Sequence, residues 1–352
     1  MPNIEVTPTS EKRLVRGAAV TQLMPAKYPW AWQWYLDGNS NHWTPGEIAM
    51  GKDIGQYEYE LSPSERHIFT TVLAYLTTSD ILAMRNVSLA VMEKITAPEI
   101  QMALMRHGFE ETIHMHTYQH CLECLKLDQT EIYTRYLRVP EMNGKFIVSN
   151  KYLKKALELH SLETKEDVIE FLYGYIFFAL IFEGVWFYNG FTPIFNMNRR
   201  NLMTNTGEQL QYILRDEVNH VKLGAEIIRG IIREENITLD PNRIRTMFLE
   251  ADTAEETYIK MVLKDGMIGH SVADHMQQSR VVSNRRLKQI GMDPVFPDTE
   301  APFKWLDEIA GGLRKEKNFF ETRVTEYQVG SNLDFGKSET TTDTTKPLID
   351  WE

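Results

Sequence analysis

The chain has 352 residues, of which 43% are hydrophobic and 25% are charged, as in ordinary soluble globular proteins. Its 49 acidic residues outnumber its 38 basic ones, and the formal net charge of −11 argues against nucleic acid as the main partner. Two cysteines exclude a disulfide scaffold and favour a reducing cytoplasm.

Helical patterns follow an N-terminal arm. Residues 1–40 contain four prolines and an aromatic cluster, and we predict that they form an irregular arm. Ser62, with Pro63 and Glu65 behind it, is typical of a helix start. Alternating β-branched residues, the signal for strands, are almost absent, so we predict an all-α fold. The predicted helices cover residues 62–95, 98–127, 130–137, 150–159, 165–188, 205–235, 241–268 and 303–314.

One segment, residues 171–191, has about the length and apolarity of a membrane span. Glu183 interrupts it after only twelve residues, and no second span of this kind occurs. A helix that is apolar on all sides is otherwise the buried centre of a bundle. We therefore predict a core helix and no membrane span. Glu183 is then a buried charge, which needs an opposite charge or a metal ion beside it.

Two Glu-x-x-His pairs share one arrangement. Each lies in strongly helical sequence, where positions i and i+3 share a face, and each follows a helix with one acid in an apolar stretch. In chain order the set comprises Asp80, Glu111, His114, Glu183, Glu217 and His220. Bundles that hold two iron or two manganese ions take one acid from each of two helices and a Glu-x-x-His from each of two others. One pair alone would suggest a surface contact, whereas the ordered set favours a two-metal site.

Tyr118 lies four residues after His114, one turn further along the same helix face. It is either a core tyrosine or, beside an oxidising metal pair, a residue that can lose one electron. Phe187, Phe191 and Ile213 would form an apolar wall that keeps such a radical dry.

At these positions the chain resembles the small, radical-generating subunit of class I ribonucleotide reductases, from about Trp43 to the end of the chain. The segments that carry the resemblance are Glu111-Thr-Ile-His114-Met-His-Thr-Tyr118, Glu183-Gly-Val-Trp-Phe-Tyr and Arg215-Asp216-Glu217-Val-Asn-His220. The resemblance implies a ferritin-like helical bundle around a buried two-metal site. It implies that Asp80, Glu111 and His114 bind one metal ion, and that the other is bound by Glu183, Glu217 and His220.

The resemblance also implies a route for the radical. Tyr118 matches the position of the stable tyrosyl radical. His42-Trp43-Thr-Pro45-Gly-Glu47 resembles the segment with the radical-transfer tryptophan, and Asp216 matches the acid that links this tryptophan to a metal-bound histidine. Glu326-Tyr327-Gln-Val-Gly330 resembles the tail segment whose tyrosine passes the radical to the large subunit.

Two metal ions per chain are expected, with two iron ions as the first choice and a manganese–iron or dimanganese pair compatible with the same ligands. Residues 207–213 resemble a branch with a mixed manganese–iron pair, which has Phe at the position of Tyr118 and Glu at that of Asp80. This chain keeps Tyr and Asp, and so resembles a tyrosyl-radical form. The metal pair would react with oxygen or a reduced oxygen species.

The tail and two cysteines complete the pattern. Residues 331–346 are rich in Ser, Thr, Asp and Gly, which predicts disorder, and an apolar cluster around Trp351 ends the chain. This end is either frayed or a tethered peptide that docks on a partner. Cys121 and Cys124 form a C-x-x-C inside a helix and are expected to pack in the core. The sequence contains no phosphate-binding glycine loop in the right context, so we predict no nucleotide site.

We therefore predict an arm over 1–40, one ferritin-like domain over 41–320, and a flexible tail over 321–352 that docks on the large catalytic subunit. The expected function is that of the small subunit of ribonucleoside-diphosphate reductase, in a cytoplasmic homodimer that binds neither nucleic acid nor membrane. A standalone ferritin-like dimetal oxidase or ferroxidase is the alternative, because it would share all six ligands. A metal-free helical scaffold is a third hypothesis.

Overall fold

In the computed structural model of the chain, residues 12–17 and 22–310 are described. Within these ranges the secondary structure is helical and contains no strand, which confirms the all-α prediction. The longest helices are α3 (Pro63–Arg85), α4 (Pro98–Cys124), α10 (Thr204–Glu234) and α11 (Pro241–Val262). The others are α1 (Pro29–Ser40), α2 (Gly51–Gly55), α5 (Gln129–Arg138), α6 (Pro140–Glu158), α7 (Lys165–Ile176), α8 (Tyr188–Gly190), α9 (Thr192–Asn198) and α12 (Val272–Gln289).

Some helices continue in wider or tighter turns. A π-helical segment, Phe177–Phe187, joins α7 to α8, and shorter π-helical segments, Asn86–Val91 and Gln56–Glu60, extend α3 and α2. Two 3₁₀ turns, Met92–Lys94 and Pro45–Glu47, complete the described elements. Inserted π turns inside helices are often found at functional sites, and Glu183 lies in the longest of them.

Proline in the first turn marks the start of most long helices. It has no N–H to leave unpaired there, and its fixed φ suits the helix. At α3 the sequence signal is complete, since Ser62 accepts a hydrogen bond from the Glu65 N–H and the Glu65 carboxylate accepts one from the Ser62 N–H. Proline also begins α1, α4, α6 and α11.

Three sequence predictions were wrong in detail. Residues 29–40 form helix α1 rather than an irregular arm, because Pro29 starts the helix and Trp34 packs on the core while donating to the Asn219 carbonyl at 3.0 Å. Helix α6 starts at Pro140 rather than at 150. Helix α12 was not predicted, since its polar composition hides the apolar face, although Ser271 caps it by accepting from the Asp274 N–H.

The apolar helix of the sequence analysis is a core helix. The continuous helical stretch 165–198 has the length and composition of a membrane span, but 89% of its most apolar window is buried inside the protein. Helix α10 packs closely against it: a Cβ added at Gly224 would lie 2.5 Å from the Ala179 Cβ. The missing side chain therefore lets α10 approach the segment that carries Glu183.

All described residues belong to one compact unit. Residues 304–310 are helical, in agreement with the predicted last helix. The predicted tail, residues 321–352, lies outside the described residues, and so does Tyr327.

A buried ion pair stabilises the side of the core formed by α6, α11 and α12. The Lys145 ammonium donates to Glu255 Oε2 at 2.7 Å, and the other oxygen of Glu255 lies 2.8 Å from His275 Nε2. Burial raises the pKa of Glu255, but the Lys145 charge and the His275 hydrogen bond outweigh it and lower that pKa to about 2. Glu255 therefore stays ionised in the folded chain, where the Lys145 charge needs a partner.

We expect this carboxylate to make stability dependent on acid. In the unfolded chain the pKa of Glu255 has its ordinary value of 4.5, whereas in the folded chain this pKa is about 2. Its contribution, about 3 kcal/mol, is thus complete above pH 4.5 and lost as the pH falls towards 2. Urea unfolding of the metal-free protein should show Glu255→Gln less stable than the parent at pH 7, with the gap closing in acid. A gap independent of pH would contradict this account, and the exposed Glu158→Gln should show no gap.

Candidate metal centre

The structure brings all six predicted ligands into one buried cluster. Asp80 comes from α3, one Glu-x-x-His pair from α4, the other from α10, and Glu183 from the π-helical segment. None of the six side chains is more than 2% exposed. The helix period explains the convergence, because residues three apart on one helix face the same neighbour.

Two glutamates lie between the two histidines. Glu111 Oε2 is 3.5 Å from His114 Nδ1, while Glu111 Oε1 is 3.2 Å from His220 Nδ1. Glu217 repeats the pattern, with Oε1 at 3.4 Å from His114 Nδ1 and Oε2 at 3.5 Å from His220 Nδ1. Each carboxylate thus offers one oxygen to each side, which is the arrangement of a ligand that bridges two ions.

The remaining carboxylates belong to one side each. Asp80 Oδ2 lies 3.8 Å from His114 Nδ1. The ligand atoms of Asp80, Glu111 and His114 all lie within 4.8 Å of one another, and the same holds for His107, Glu111, Glu183 and His220. The cluster therefore contains two neighbouring positions that share Glu111.

The donor atoms fit two divalent cations. Buried polar atoms normally have a hydrogen-bond partner, because leaving one unpaired costs free energy. Within the described residues, however, both oxygens of Asp80, Glu111 and Glu217, Glu183 Oε2, and Nδ1 of both His114 and His220 make no hydrogen bond. Four carboxylates carry four negative charges, which two divalent ions neutralise. Carboxylate oxygen with imidazole nitrogen is a donor set suited to iron and manganese.

Without cations, burial and the close approach of the acids shift the pKa values of several side chains in this cluster. Burial, followed by the negative charge of Glu111, raises the pKa of Asp80 well above its ordinary range. Burial also raises the pKa of Glu183 to about 7. The pKa of His114 and His220 lies well above normal, because hydrogen bonds to acids outweigh the opposing effect of burial. Metal binding must displace these protons, so it is linked to pH.

The Nε2 atom of each cluster histidine, which points away from the cluster, contacts an acid of the other helix. His114 Nε2 lies 3.4 Å from Asp216 Oδ2, and His220 Nε2 lies 2.8 Å from Glu110 Oε2. Asp216 directly precedes one cluster glutamate and Glu110 the other. With the Nε2 hydrogen directed at the acid, Nδ1 presents its lone pair to the cluster.

Trp43 reaches the cluster through Asp216. Its indole Nε1 donates to Asp216 Oδ2 at 2.7 Å, its side chain is 2% exposed, and its ring stacks on Tyr212 with 5.2 Å between centroids. Burial opposes ionisation of Asp216, but the hydrogen bond to His114 and the charge of Arg215 lower its pKa. A chain of polar contacts thus connects Trp43 with the cluster.

The other predicted residues are placed as follows. Tyr118 is buried, and burial followed by the charge of Asp80 raises its pKa well above the ordinary value. Phe187, Phe191 and Ile213 are fully buried core residues. Both cysteines are free, and Cys121 Sγ donates to Gln209 Oε1 at 2.9 Å.

Sequence reasoning missed two members of the site. Glu110 was detectable, because an acid before Glu-x-x-His occurs in both Glu110-Glu111 and Asp216-Glu217. His107 lies one turn before Glu111 on the same helix face, a spacing that many histidines share by chance.

Comparison with known proteins gives a consistent result. A family model described as "Ribonucleotide reductase, small chain" matches residues 20–302. Ribonucleoside-diphosphate reductase subunit beta of Chlamydia pneumoniae is 38% identical over 320 residues, which cover 89% of this chain and 92% of that protein. The ribonucleoside-diphosphate reductase small subunit of Dictyostelium discoideum is 30% identical over 308 residues, which cover 87% of this chain and 85% of that protein. The ribonucleotide reductase R2 subunit from Clostridium botulinum superposes with a TM-score of 0.76 at 25% identity, covering 85% of this chain and 94% of that one.

We expect Asp80→Asn to separate folding from metal binding. The substitution removes a buried acid whose raised pKa means that its ionisation opposes folding at pH 7, so the free energy of unfolding of the metal-free protein should rise. Mn(II) binding, measured by calorimetry, should weaken because one oxygen ligand is lost. The exposed Asp293→Asn should change neither quantity. A metal-free Asp80→Asn protein that is less stable, with unchanged affinity, would show that Asp80 has a purely structural role.

Proposed function

The chain belongs to the ribonucleotide reductase small-chain family, whose members work with a large subunit in an oxidoreductase. We propose that its buried cluster would hold two metal ions and that these ions would supply the oxidant for Tyr118. The observation that carries the proposal is the set of buried ligand atoms that the described protein atoms leave without hydrogen bonds. We propose that Asp80, Glu111 and His114 would hold one ion and that Glu183, Glu217 and His220 would hold the other, with Glu111 and Glu217 lying between the two positions.

We propose two iron ions as the pair, although manganese in one or both positions suits the same oxygen and nitrogen donors. When bound, the pair would supply a one-electron oxidant by reacting with oxygen or a reduced oxygen species. The protein keeps this chemistry dry, since the ligands and Tyr118 are almost fully buried.

Tyr118 is the residue proposed to lose the electron. Because its pKa is raised, its phenol remains protonated, and removal of one electron must be accompanied by loss of the O–H proton. Among the charged groups that act on Tyr118, Asp80 has the largest effect. The Tyr118 hydroxyl and both Asp80 oxygens are also buried and make no hydrogen bond within the described residues, so we propose Asp80 as the acceptor of that proton.

Asp216 and Trp43 would carry the oxidising equivalent outwards. The indole donates its hydrogen bond to a carboxylate whose lowered pKa keeps it ionised, so the negative charge of Asp216 would stabilise the positive charge of an oxidised Trp43. The same carboxylate oxygen faces His114 Nε2, which ties the tryptophan to the cluster. The next proposed carrier is Tyr327, which lies outside the described residues, and the large subunit would then reduce the ribonucleotide to a deoxyribonucleotide.

The remaining proposals depend on the family alone. They are a homodimer, docking on the large subunit through residues 321–352, and a cytoplasmic location. A standalone dimetal oxidase would need the same cluster, but it would give no role to the hydrogen bond between Trp43 and Asp216. That bond favours the reductase.

Removal of the Tyr118 hydroxyl should abolish the radical. Iron-loaded protein exposed to oxygen should give a tyrosyl signal in electron paramagnetic resonance, and Tyr118→Phe should lose the signal together with activity, while its iron content stays unchanged. Tyr133→Phe, which removes a hydroxyl that donates to Gln119 Oε1 at 3.0 Å on the surface of α4, should keep both signal and activity. An active Tyr118→Phe enzyme would refute the role of this residue.

Interruption of the transfer route should leave the radical intact. Trp43→Phe removes the indole N–H but keeps an aromatic ring in the core. The variant should bind metal and form the Tyr118 radical at parental levels, while turnover with the large subunit falls to background.

Deletion of the last 20 or so residues should likewise leave metal binding and the radical intact and abolish turnover, if the tail docks on the large subunit. Full turnover in the truncated protein would support the standalone oxidase.

A further inference from the structure

His107 is a buried histidine at the cluster that no proposed role yet uses. It lies on α4 one turn before Glu111, and its side chain is 2% exposed. Its Nε2 is 2.8 Å from Glu183 Oε1 and 3.3 Å from Glu111 Oε1. The one nitrogen therefore faces two carboxylates that belong to the metal centre.

The ring of His107 is fixed in this orientation by its neighbours. It stacks on His220 with 3.8 Å between centroids and on Phe178 with 6.1 Å between centroids. Its other nitrogen, Nδ1, makes no hydrogen bond within the described part of the chain. The polar contacts of the ring are thus directed at the cluster, and no acid holds it from behind as Asp216 holds His114.

The distances allow one ion to bind this group together with its neighbours. Metal–nitrogen bonds to histidine are about 2.0–2.1 Å long, so opposite ligands of one ion lie roughly 4.2 Å apart. The ligand atoms of His107, Glu111, Glu183 and His220 lie within 4.8 Å of one another. Small side-chain movements on binding would bring all four into coordination.

We infer that His107 is a seventh ligand of the metal centre, bound through Nε2 to the ion held by Glu183 and His220. The inference rests on the proposed function, since it assumes that the cluster holds metal. It makes the two positions chemically different: one has a single imidazole, His114, and the other has two. A neutral imidazole adds a donor without changing the charge balance of four carboxylates against two divalent ions.

The competing role for His107 is that of a hydrogen-bond donor which positions Glu183 without touching metal. Both roles predict weaker binding on mutation, because partners of metal ligands also affect affinity. The bond between His107 Nε2 and the ion distinguishes them. A crystal structure of the full chain loaded with Mn(II) should place His107 Nε2 about 2.0–2.3 Å from an ion. A separation beyond about 3 Å, with the Glu183 contact retained, would overturn the inference.

Variants provide a second measurement in solution. Protein labelled with ¹⁵N-histidine and loaded with Mn(II) should lose one metal-coupled histidine nitrogen, seen by pulsed electron paramagnetic resonance, in His107→Gln. The second Mn(II) should bind about 10–100-fold more weakly in that variant. His116→Gln, an exposed site on the same helix, should match the parent in both measurements.

The outcomes separate this inference from the proposed function. If the parent protein binds no stoichiometric Mn(II) or iron, the two-metal function fails. If the parent binds two ions and His107→Gln keeps every coupled histidine nitrogen, only the seventh ligand fails. If His107→Gln does not fold, the crystal structure of the parent protein decides.

Discussion

Four carboxylates confined to one dry space are the constraint on which the rest of this structure depends. Their mutual repulsion, with little water to screen it, would oppose folding unless cations lie between them. The long helices bring these groups together, and Gly224 permits the close packing that this requires. Helix packing therefore brings like charges together, and bound cations would neutralise them. Without cations, the raised pKa values of Asp80 and Glu183 favour protonation, which lowers the negative charge of the cluster.

The centre has a twofold pattern with unlike extensions. On each Glu-x-x-His helix the preceding acid holds the histidine of the other helix, so the two halves support each other. Beyond the acids the halves differ. Asp216 continues to the indole of Trp43, whereas Glu110 Oε1 accepts from Arg106 Nε at 2.9 Å. One extension is an indole and the other a guanidinium, so the two halves of the centre differ beyond the acids.

Much of this arrangement could be predicted from sequence, because both helix starts and ligand spacing are local. The Ser62–Glu65 cap and the i, i+3 pairs need no knowledge of distant contacts. Other features depend on tertiary neighbours. His107 is distinguished from an ordinary helix histidine by distant contacts, with Glu183, 76 residues away, and with the ring of His220. The amphipathic face of α12 was hidden because its buried positions are partly polar, as with Gln278 and Ser279.

The environment of Lys145 sets one group of aromatic residues apart from the ring of Trp43. Its ammonium lies 3.9 Å from the ring centroid of Tyr75, 4.7 Å from that of Trp186 and 4.6 Å from that of Tyr258. A fixed positive charge over an aromatic face raises the ionisation energy of the ring, whereas a carboxylate such as Asp216 lowers that of its neighbour. Lys145 shares its charge between these three rings and the Glu255 carboxylate, whereas the indole of Trp43 faces the carboxylate of Asp216, so the two groups of aromatic residues have opposite electrostatic surroundings.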